Sequence, residues 1–357
     1  MAKIVHQQVQ DYPERSRRIA INGFGRIGRI FLRQALEERG LEIAAINDLG
    51  DAENLAYLLK YDTVYGRYGK EVRIQNLESG SFLIVDGKKI IFLQEKDPTR
   101  LPWKKLSIDI VVEATGIFES YEKAKVHLEA GAKRVVITAP AKDPDGTEGK
   151  TVLMGVNEGE FKTVEMTSNG SCTTNAASPV LQIMAENPGI KKAILNTVHG
   201  YTATQNIVDG PTRGNDMRRG RAAGQNIVPS FTGAALAVTR AIKDLEGRFD
   251  GMAMRVPVIS GSIADITFVA KRKTSVEEIN DIFRASAKDK RWQGILAVTE
   301  DQLVSSDILG EPYGAIVDLN FTKVIDGDLV KVLSWYDNEW GYAATLVKHI
   351  QSIAKLI

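Results

Sequence analysis

The chain alternates between short apolar runs of strand length and segments whose apolar residues recur every three or four positions, the two periods that separate strands from helices. Residues 18–22 read as a strand and 23–28 as a glycine turn. Residues 26–39 read as a helix with Ile27, Ile30, Phe31 and Leu36 on its apolar face and Gly40 just past its end. Residues 41–47 form another apolar run, and Asp51 is placed to cap a helix carrying Leu55, Leu58 and Leu59 on one side. Asp86-Gly87 lies between strand-like runs at 81–85 and 88–93, and predicts a hairpin because both residues tolerate positive φ. A buried strand at 108–112, a helix reaching Glu129 with Gly131 as its C-cap, and a strand at 134–138 complete a mostly parallel α/β unit.

Beyond about residue 170 the regular alternation stops. Longer strand runs at 193–198, 251–256, 263–270 and 329–335 predict an α+β domain on a mixed or antiparallel sheet. A helix at 232–245 separates the first two of these runs, and Ser275 with Glu278 spells a capping box for another. Residues 200–228 have no clean period yet carry Arg213, Arg218, Arg219 and Arg221, and so long an irregular stretch is functional or disordered. Tyr342, Leu346, Val347, Ile350 and Ile353 mark an amphipathic C-terminal helix able to pack back on the first unit.

Length and charge narrow the function. A chain of 357 residues suits two domains. With 46 basic and 45 acidic side chains it has no global field to attract nucleic acid or an anionic membrane. No apolar stretch is long enough for a conventional spanning helix, and one cysteine cannot form an intrachain disulfide, which points to a reducing cytoplasm. Residues 1–17 are polar, mix Asp11 and Glu14 with bases, and read as a flexible extension.

Gly23-Phe24-Gly25-Arg26-Ile27-Gly28 fits G-x-G-x-x-G in the context that makes the motif informative, after a strand and at the opening of a helix. Gly23 permits the tight turn, Gly25 the approach of backbone to a pyrophosphate, and Gly28 the packing of helix on strand. The helix start then offers N–H groups and partial positive charge to the diphosphate. Asp48 ends the next strand, where a carboxylate accepts hydrogen bonds from the ribose hydroxyls of NAD and repels the extra phosphate of NADP.

Cys172 follows a strand-like run at 164–166 and opens a helical segment, where backbone dipoles favour a thiolate. Pro179 marks either an early turn or a kink in that helix. A lone cysteine is by default a small packing residue. His199, at the end of the strand 193–198, is the best placed of four histidines to act as its base, since His6 is in the extension and His127 and His349 fall in segments read as surface helices. Sequence spacing alone proves no contact between Cys172 and His199.

Five ordered strings carry a resemblance over nearly the whole chain from Arg18: INGFGRIGR at 21–29, SCTTN at 171–175, TVHGYTATQ at 197–205, GMAMRVP at 251–257 and SWYDNE at 334–339. In these the sequence resembles the phosphorylating glyceraldehyde-3-phosphate dehydrogenase family. The resemblance implies a Rossmann-type NAD domain at 18–170, a catalytic domain at 171–337, a helix at 338–357 returning to the first domain, and a homotetramer. It implies the oxidation of D-glyceraldehyde 3-phosphate to 1,3-bisphosphoglycerate, a step of glycolysis and gluconeogenesis. Cys172 would attack the aldehyde, His199 would take the hydroxyl proton of the hemithioacetal, and inorganic phosphate would split the resulting thioester. Cofactor contacts would come from Gly23 to Gly28, Asp48, Lys96 and Thr138, with Asn338 and Tyr342 at the nicotinamide. Thr202 and Arg255 would hold the substrate phosphate, and Ser171, Thr173, Arg219, Thr232 and Gly233 the attacking phosphate.

The sequence departs from the family pattern in four places. Ala176 stands where many members carry a second cysteine, Lys96 where arginine is usual, the segment 211–221 is slightly longer, and 258–262 differs from the usual string. Three other readings compete. One is an erythrose-4-phosphate dehydrogenase of the same superfamily, in which water completes the reaction. Another is a thiol hydrolase or acyltransferase using the same Cys-His pair, against which the glycine motif and Asp48 argue. The third is a silent NAD-binding protein, which Cys172 and His199 disfavour.

Overall fold

The computed structural model describes residues 16–212 and 215–357. Apart from Ser16 and Arg17 the expected extension at 1–17 lies outside the described residues, as does Arg213, and Arg17 already opens the first strand. The first half consists of β1 (Arg17–Asn22), α1 (Arg26–Ala35), β2 (Leu41–Asn47), α2 (Ala52–Lys60), a small antiparallel pair β3 (Tyr61–Asp62) and β4 (Gly66–Arg67), β5 (Val72–Leu77), β6 (Gly80–Val85), β7 (Lys88–Leu93), β8 (Ile110–Glu113), the short helices α3 (Tyr121–Ala124) and α4 (Val126–Glu129), β9 (Arg134–Ile137), β10 (Gly149–Thr151) and β11 (Met166–Ser168). The sheet order is β10-β11-β9-β8-β1-β2-β7-β6-β5, parallel from β10 through β7 and antiparallel at the hairpin edge. Between β8 and β1 the connections diverge to opposite sides of the sheet, and this is the crevice where an open α/β sheet binds ligands at its carboxyl strand ends.

The expected elements are present with shifted ends. α1 stops at Ala35 rather than near Arg39 because Glu37 and Glu38 donate to Gln34 and Ala35, three residues back, which tightens the last turn. Asp51 caps α2 through Asn54 N–H, but Leu58 faces outward and Ala56 joins Leu59 on the buried side. Asp86 and Gly87 both have positive φ and join β6 to β7. The helix predicted to reach Glu129 is broken at Lys125, and Gly131 ends its second half with φ +104°.

The second half contains α5 (Cys172–Glu186), β12 (Ile190–Gly200), β13 (Val228–Phe231), α6 (Ala234–Ala241), β14 (Phe249–Val256), β15 (Ser262–Ala270), α7 (Val276–Ser286), β16 (Leu296–Thr299), β17 (Ala315–Ile325), β18 (Leu329–Tyr336) and α8 (Trp340–Ala354). Its seven strands run β13-β14-β12-β15-β18-β17-β16 in a mixed sheet. Pro179 is accommodated inside an unbroken α5. α6 is shorter than the 232–245 read from the sequence, since the Thr232 hydroxyl accepts the Ala234 N–H and a separate turn forms at Lys243–Leu245. Ser275 caps α7, but the Glu278 side chain goes to Arg272 and Thr274 instead of closing the box. The described residues between Gly200 and Val228 form a loop pinned at Asn206, Gly210 and Ala223, with a tight turn at Met217–Gly220.

Alternation along β12 and β14 sends Leu195 and Ala253 toward α5 and α6 and leaves Ile194 and Met252 on the opposite face. Phe231, the register partner of Met252, extends this exposed apolar face, and Ile207, Val208, Met217 and Ile227 are exposed as well.

α8 returns to the first sheet's layer. Leu346, Val347, Ile350 and Ile353 enter the same buried cluster as Ile19, Phe31 and Leu32. Arg17 Nε donates to the Ala354 carbonyl at 3.0 Å, and Gln34 to that of Trp340 at 3.0 Å. Arg26 on α1 forms a bidentate pair with Glu339 just ahead of α8 and a further ion pair with Asp62. Ile350→Ala should lower unfolding free energy by about 2–5 kcal/mol in denaturant titration, the cost of emptying a buried isoleucine site. A loss under about 1 kcal/mol would contradict this docking.

Candidate active site

The three glycines of the turn divide their roles. Gly23 has φ +96°, and a Cβ there would lie 2.6 Å from the Ala114 and Thr115 backbone. At Gly28 a Cβ would meet the Gly23 carbonyl at 2.2 Å, so helix and turn pack too closely for any side chain. Gly25 is different, because a Cβ would touch nothing within 4 Å. No protein contact requires glycine there. It caps α1 without a side chain, leaving the first-turn N–H groups facing open space, which fits a diphosphate.

A cavity of about 440 Å³ beside this turn is lined by Gly23, Gly25, Asp48, Lys96, Thr115 and Phe118, among others. The Asp48 carboxylate accepts from Phe24 N–H at 2.6 Å and Gly50 N–H at 2.7 Å, so it braces the glycine turn as well as facing the cavity. The Phe24 ring is in the core, and the Arg26 side chain is committed to Glu339 and Asp62. Both residues can therefore meet a cofactor only through their backbone.

Ala114, Thr115 and Phe118 also line a second cavity, of about 410 Å³, which continues the first. It collects Arg26, Ile27, Thr138, Ser171, Cys172, His199, Thr202, Arg255, Asn338 and Tyr342. Cys172 is the first residue of α5. The Ser171 hydroxyl accepts the Thr174 N–H at 3.1 Å while the Thr174 hydroxyl accepts the Ser171 N–H, a reciprocal cap that sets the helix start. Cys172 Sγ lies 3.3 Å from His199 Nε2. His199 and Arg255 are register partners at the carboxyl ends of the parallel strands β12 and β14, and Arg255 Nη1 lies 2.6 Å from His199 Nδ1. Ser260 and Ser262 donate to the Asn338 carbonyl oxygen, and the Tyr342 hydroxyl to the Gly170 carbonyl at 3.1 Å. Thr138 donates to the Glu113 carbonyl at 2.9 Å.

Four expected phosphate ligands do not line this cavity. The Thr173 hydroxyl turns inward to Tyr336, 2.9 Å away. Thr232 is engaged by Ala234 N–H, Gly233 caps α6 next to Pro140, and Arg219 reaches only the rim, where its guanidinium meets Thr204 at 3.2 Å.

Residues 17–121 match the model of the "Glyceraldehyde 3-phosphate dehydrogenase, NAD binding domain", and residues 171–338 that of the corresponding C-terminal domain. The chain is 45% identical over 343 residues to the glyceraldehyde-3-phosphate dehydrogenase of Clostridium pasteurianum, covering 95% of this chain and 99% of that one. It is 46% identical to that of Geobacillus stearothermophilus, covering 92% and 96%, and 43% identical to glyceraldehyde-3-phosphate dehydrogenase 1 of Kluyveromyces lactis, covering 94% and 99%. The chain belongs to the glyceraldehyde-3-phosphate dehydrogenase family.

Burial opposes charge at both Cys172 and His199. Burial pushes the Cys172 thiol up, and the charge of Arg255 and the N–H groups at the start of α5 oppose it without overcoming it. Desolvation thus works against the thiolate-favouring effect expected of a helix start. Burial first, then Arg255, lowers His199 to about 3. Burial likewise lowers Arg255 from the ordinary guanidinium value, and it stays cationic.

The motif reading missed several residues of this family member's site. Tyr336 bridges Thr173 and Thr197 at 2.9 and 2.7 Å and stands edge-on to His199. It sits in the SWYDNE string, but nothing local says where its hydroxyl goes. Thr115 and Phe118 join the two cavities, and their position after the strand that flanks β1 was the available signal. His127 and His349, read as surface residues, are fully buried: Trp103 and Glu113 hold the first, Thr167 and Asn169 the second.

His349 is lowered by burial to about 3, so the unfolded chain binds its proton below about pH 6.5 while the folded chain does not until near pH 3. Stability at this residue is therefore lost as pH falls through that window. His349→Gln should flatten the decline in unfolding free energy below about pH 6 by up to ~1.4 kcal/mol per pH unit. Parallel pH profiles for the two proteins in denaturant titrations would refute a neutral buried His349.

Proposed function

We propose that this chain catalyses the NAD-dependent, phosphorylating oxidation of D-glyceraldehyde 3-phosphate to 1,3-bisphosphoglycerate, a reaction of glycolysis and gluconeogenesis. The carrying observation is the 3.3 Å approach of Cys172 Sγ to His199 Nε2, in a cavity that holds Arg255 and continues to the glycine turn. Residues 18–170 with the returning segment 338–357 form the cofactor domain, and 171–337 the catalytic one. The two family matches and the two sheets support this division.

Cys172 attacks the aldehyde carbon, passing its proton on through His199, and the hemithioacetal hydroxyl then gives its proton to neutral His199. Gly25, the first turn of α1 and Asp48 hold NAD, with Thr138, Asn338 and Tyr342 lining the end next to the sulfur. Bound NAD supplies the hydride acceptor. Cys172 carries the acyl group as a thioester, which inorganic phosphate cleaves to release the acyl phosphate and the thiol. Thr202 and Arg255 take the substrate phosphate. For the attacking phosphate, Ser171 lies at the cavity wall and Arg219 at its rim beside Thr204, while Thr173, Thr232 and Gly233, the other residues expected to hold it, lie outside the cavity lining. The exposed apolar face around Phe231 and Met252 supports self-association, and the family resemblance extends that to a homotetramer. No helix among the described residues is long and apolar enough to cross a membrane.

With NAD, inorganic phosphate and glyceraldehyde 3-phosphate, reduced nicotinamide should accumulate, Cys172→Ser should abolish it, and omitting phosphate should stop turnover after one thioester per site. Undiminished turnover without phosphate would favour the hydrolytic, erythrose-4-phosphate type of reaction. Asp48 should disfavour NADP. Asp48→Ala should shift the ratio of kcat/KM for NAD over NADP toward NADP by about tenfold, ~1.4 kcal/mol. Equal use of both cofactors by the unaltered protein would remove Asp48 from this role.

A further inference from the structure

Three strand ends meet beside the cavity that holds Cys172. β12 ends at Gly200, β15 begins at Ser262, and β18 ends at Tyr336, the register partner of Ser262 and two residues ahead of Asn338. Ser262 and Asn338 are both buried, so their polar atoms need partners in the protein or in a ligand. The Ser262 hydroxyl oxygen lies 3.2 Å from Gly200 N and 2.8 Å from Asn338 Oδ1. A backbone N–H can only donate, so Gly200 occupies a lone pair of the serine, and the serine's one proton goes to Asn338. Turning the asparagine amide over would make Ser262 accept twice and leave its buried proton without an acceptor among the described residues. Ser260 contributes less: its hydroxyl lies 3.2 Å from Asp337 Oδ1 and 3.3 Å from the Asn338 oxygen, and a carboxylate is the stronger acceptor.

We propose that Ser262 is a positioning residue for the cofactor: by passing on the Gly200 N–H it fixes the Asn338 amide with its oxygen turned to the serines and its two N–H groups turned to the cavity. No described residue accepts from Asn338 Nδ2, so both donors are left for a ligand in the cavity that Asn338 lines. A fixed donor pair selects an acceptor, and the carboxamide oxygen of nicotinamide is the acceptor that NAD brings to this end. Without the Ser262 hydroxyl the two orientations of the amide come closer in energy, and the turned one sets oxygen against oxygen. Ser262 thus acts on the nicotinamide through Asn338 and leaves the glycine turn and Asp48, which line the other cavity, untouched.

This rests on the placing of the nicotinamide at Asn338, and its test needs no turnover. Titration calorimetry of the full chain compares NAD with ADP-ribose, which keeps the adenosine and diphosphate but has no nicotinamide. Ser262→Ala should weaken NAD by about tenfold and ADP-ribose by less than about twofold. Retained ADP-ribose binding shows that the variant is folded. Ser262→Cys, similar in size with a much weaker donor, gives the same readout should the alanine variant fail to fold. In an Asn338→Ala background, Ser262→Ala should cost NAD nothing further, because its route to the cofactor is gone. Equal losses for the two ligands, or an undiminished effect of Ser262→Ala without the Asn338 amide, would overturn the role of Ser262 while leaving the nicotinamide in place. Equal affinity of the unaltered protein for NAD and ADP-ribose would instead remove the nicotinamide from Asn338, and the proposal with it.

Discussion

The return of α8 onto α1 is the constraint on which the site depends. It holds the crevice end of the nine-stranded sheet against the carboxyl ends of β12 and β14, so a cofactor cleft and a cysteine–histidine pair face one another. The fastening is both apolar and ionic. Ile350 and Leu346 are fully buried, and Arg26 ties α1 to Glu339, next to Asn338, which lines the cavity holding Cys172. Asp337 continues the join, accepting from the Tyr65 hydroxyl at 2.7 Å. Leu346, Ile350, Tyr65 and Asp337, which lie outside that cavity's lining, thereby set where Cys172 and His199 stand.

Within that frame the chemistry is governed by desolvation. Burial works against charge on both Cys172 and His199; Arg255 and the hydrogen bonds at the start of α5 oppose it at the thiol, while Arg255 adds to it at the imidazole. Ser262 links the two halves of the cavity, accepting from Gly200 N–H beside the histidine and donating to Asn338 on the cofactor side.

Much of the fold was legible because its signals are local. The glycine turn, the Asp51 cap, the Asp86-Gly87 hairpin and the strand periods all lie within short windows, and each formed within a few residues of its expected ends. The misreadings share a cause as well. His127 and His349 sit in short or amphipathic helical segments with lysines close by (Lys125, Lys348), and packing from distant strands and helices turned them inward. Thr173 lies one residue from Cys172, yet its hydroxyl follows Tyr336, 163 residues away.

By itself the sequence determined the two-domain α/β and α+β plan, the glycine turn with Asp48, and the identities of Cys172 and His199, because strand and helix periods and motif spacing are encoded within a few turns of chain. Tertiary structure alone decided that Cys172 and His199 meet, that Arg255 lies against the imidazole, and that burial weighs on the titration of both. These outcomes depend on strand register and on the removal of water. Both are set by contacts between segments far apart in sequence, which no local pattern of residues encodes.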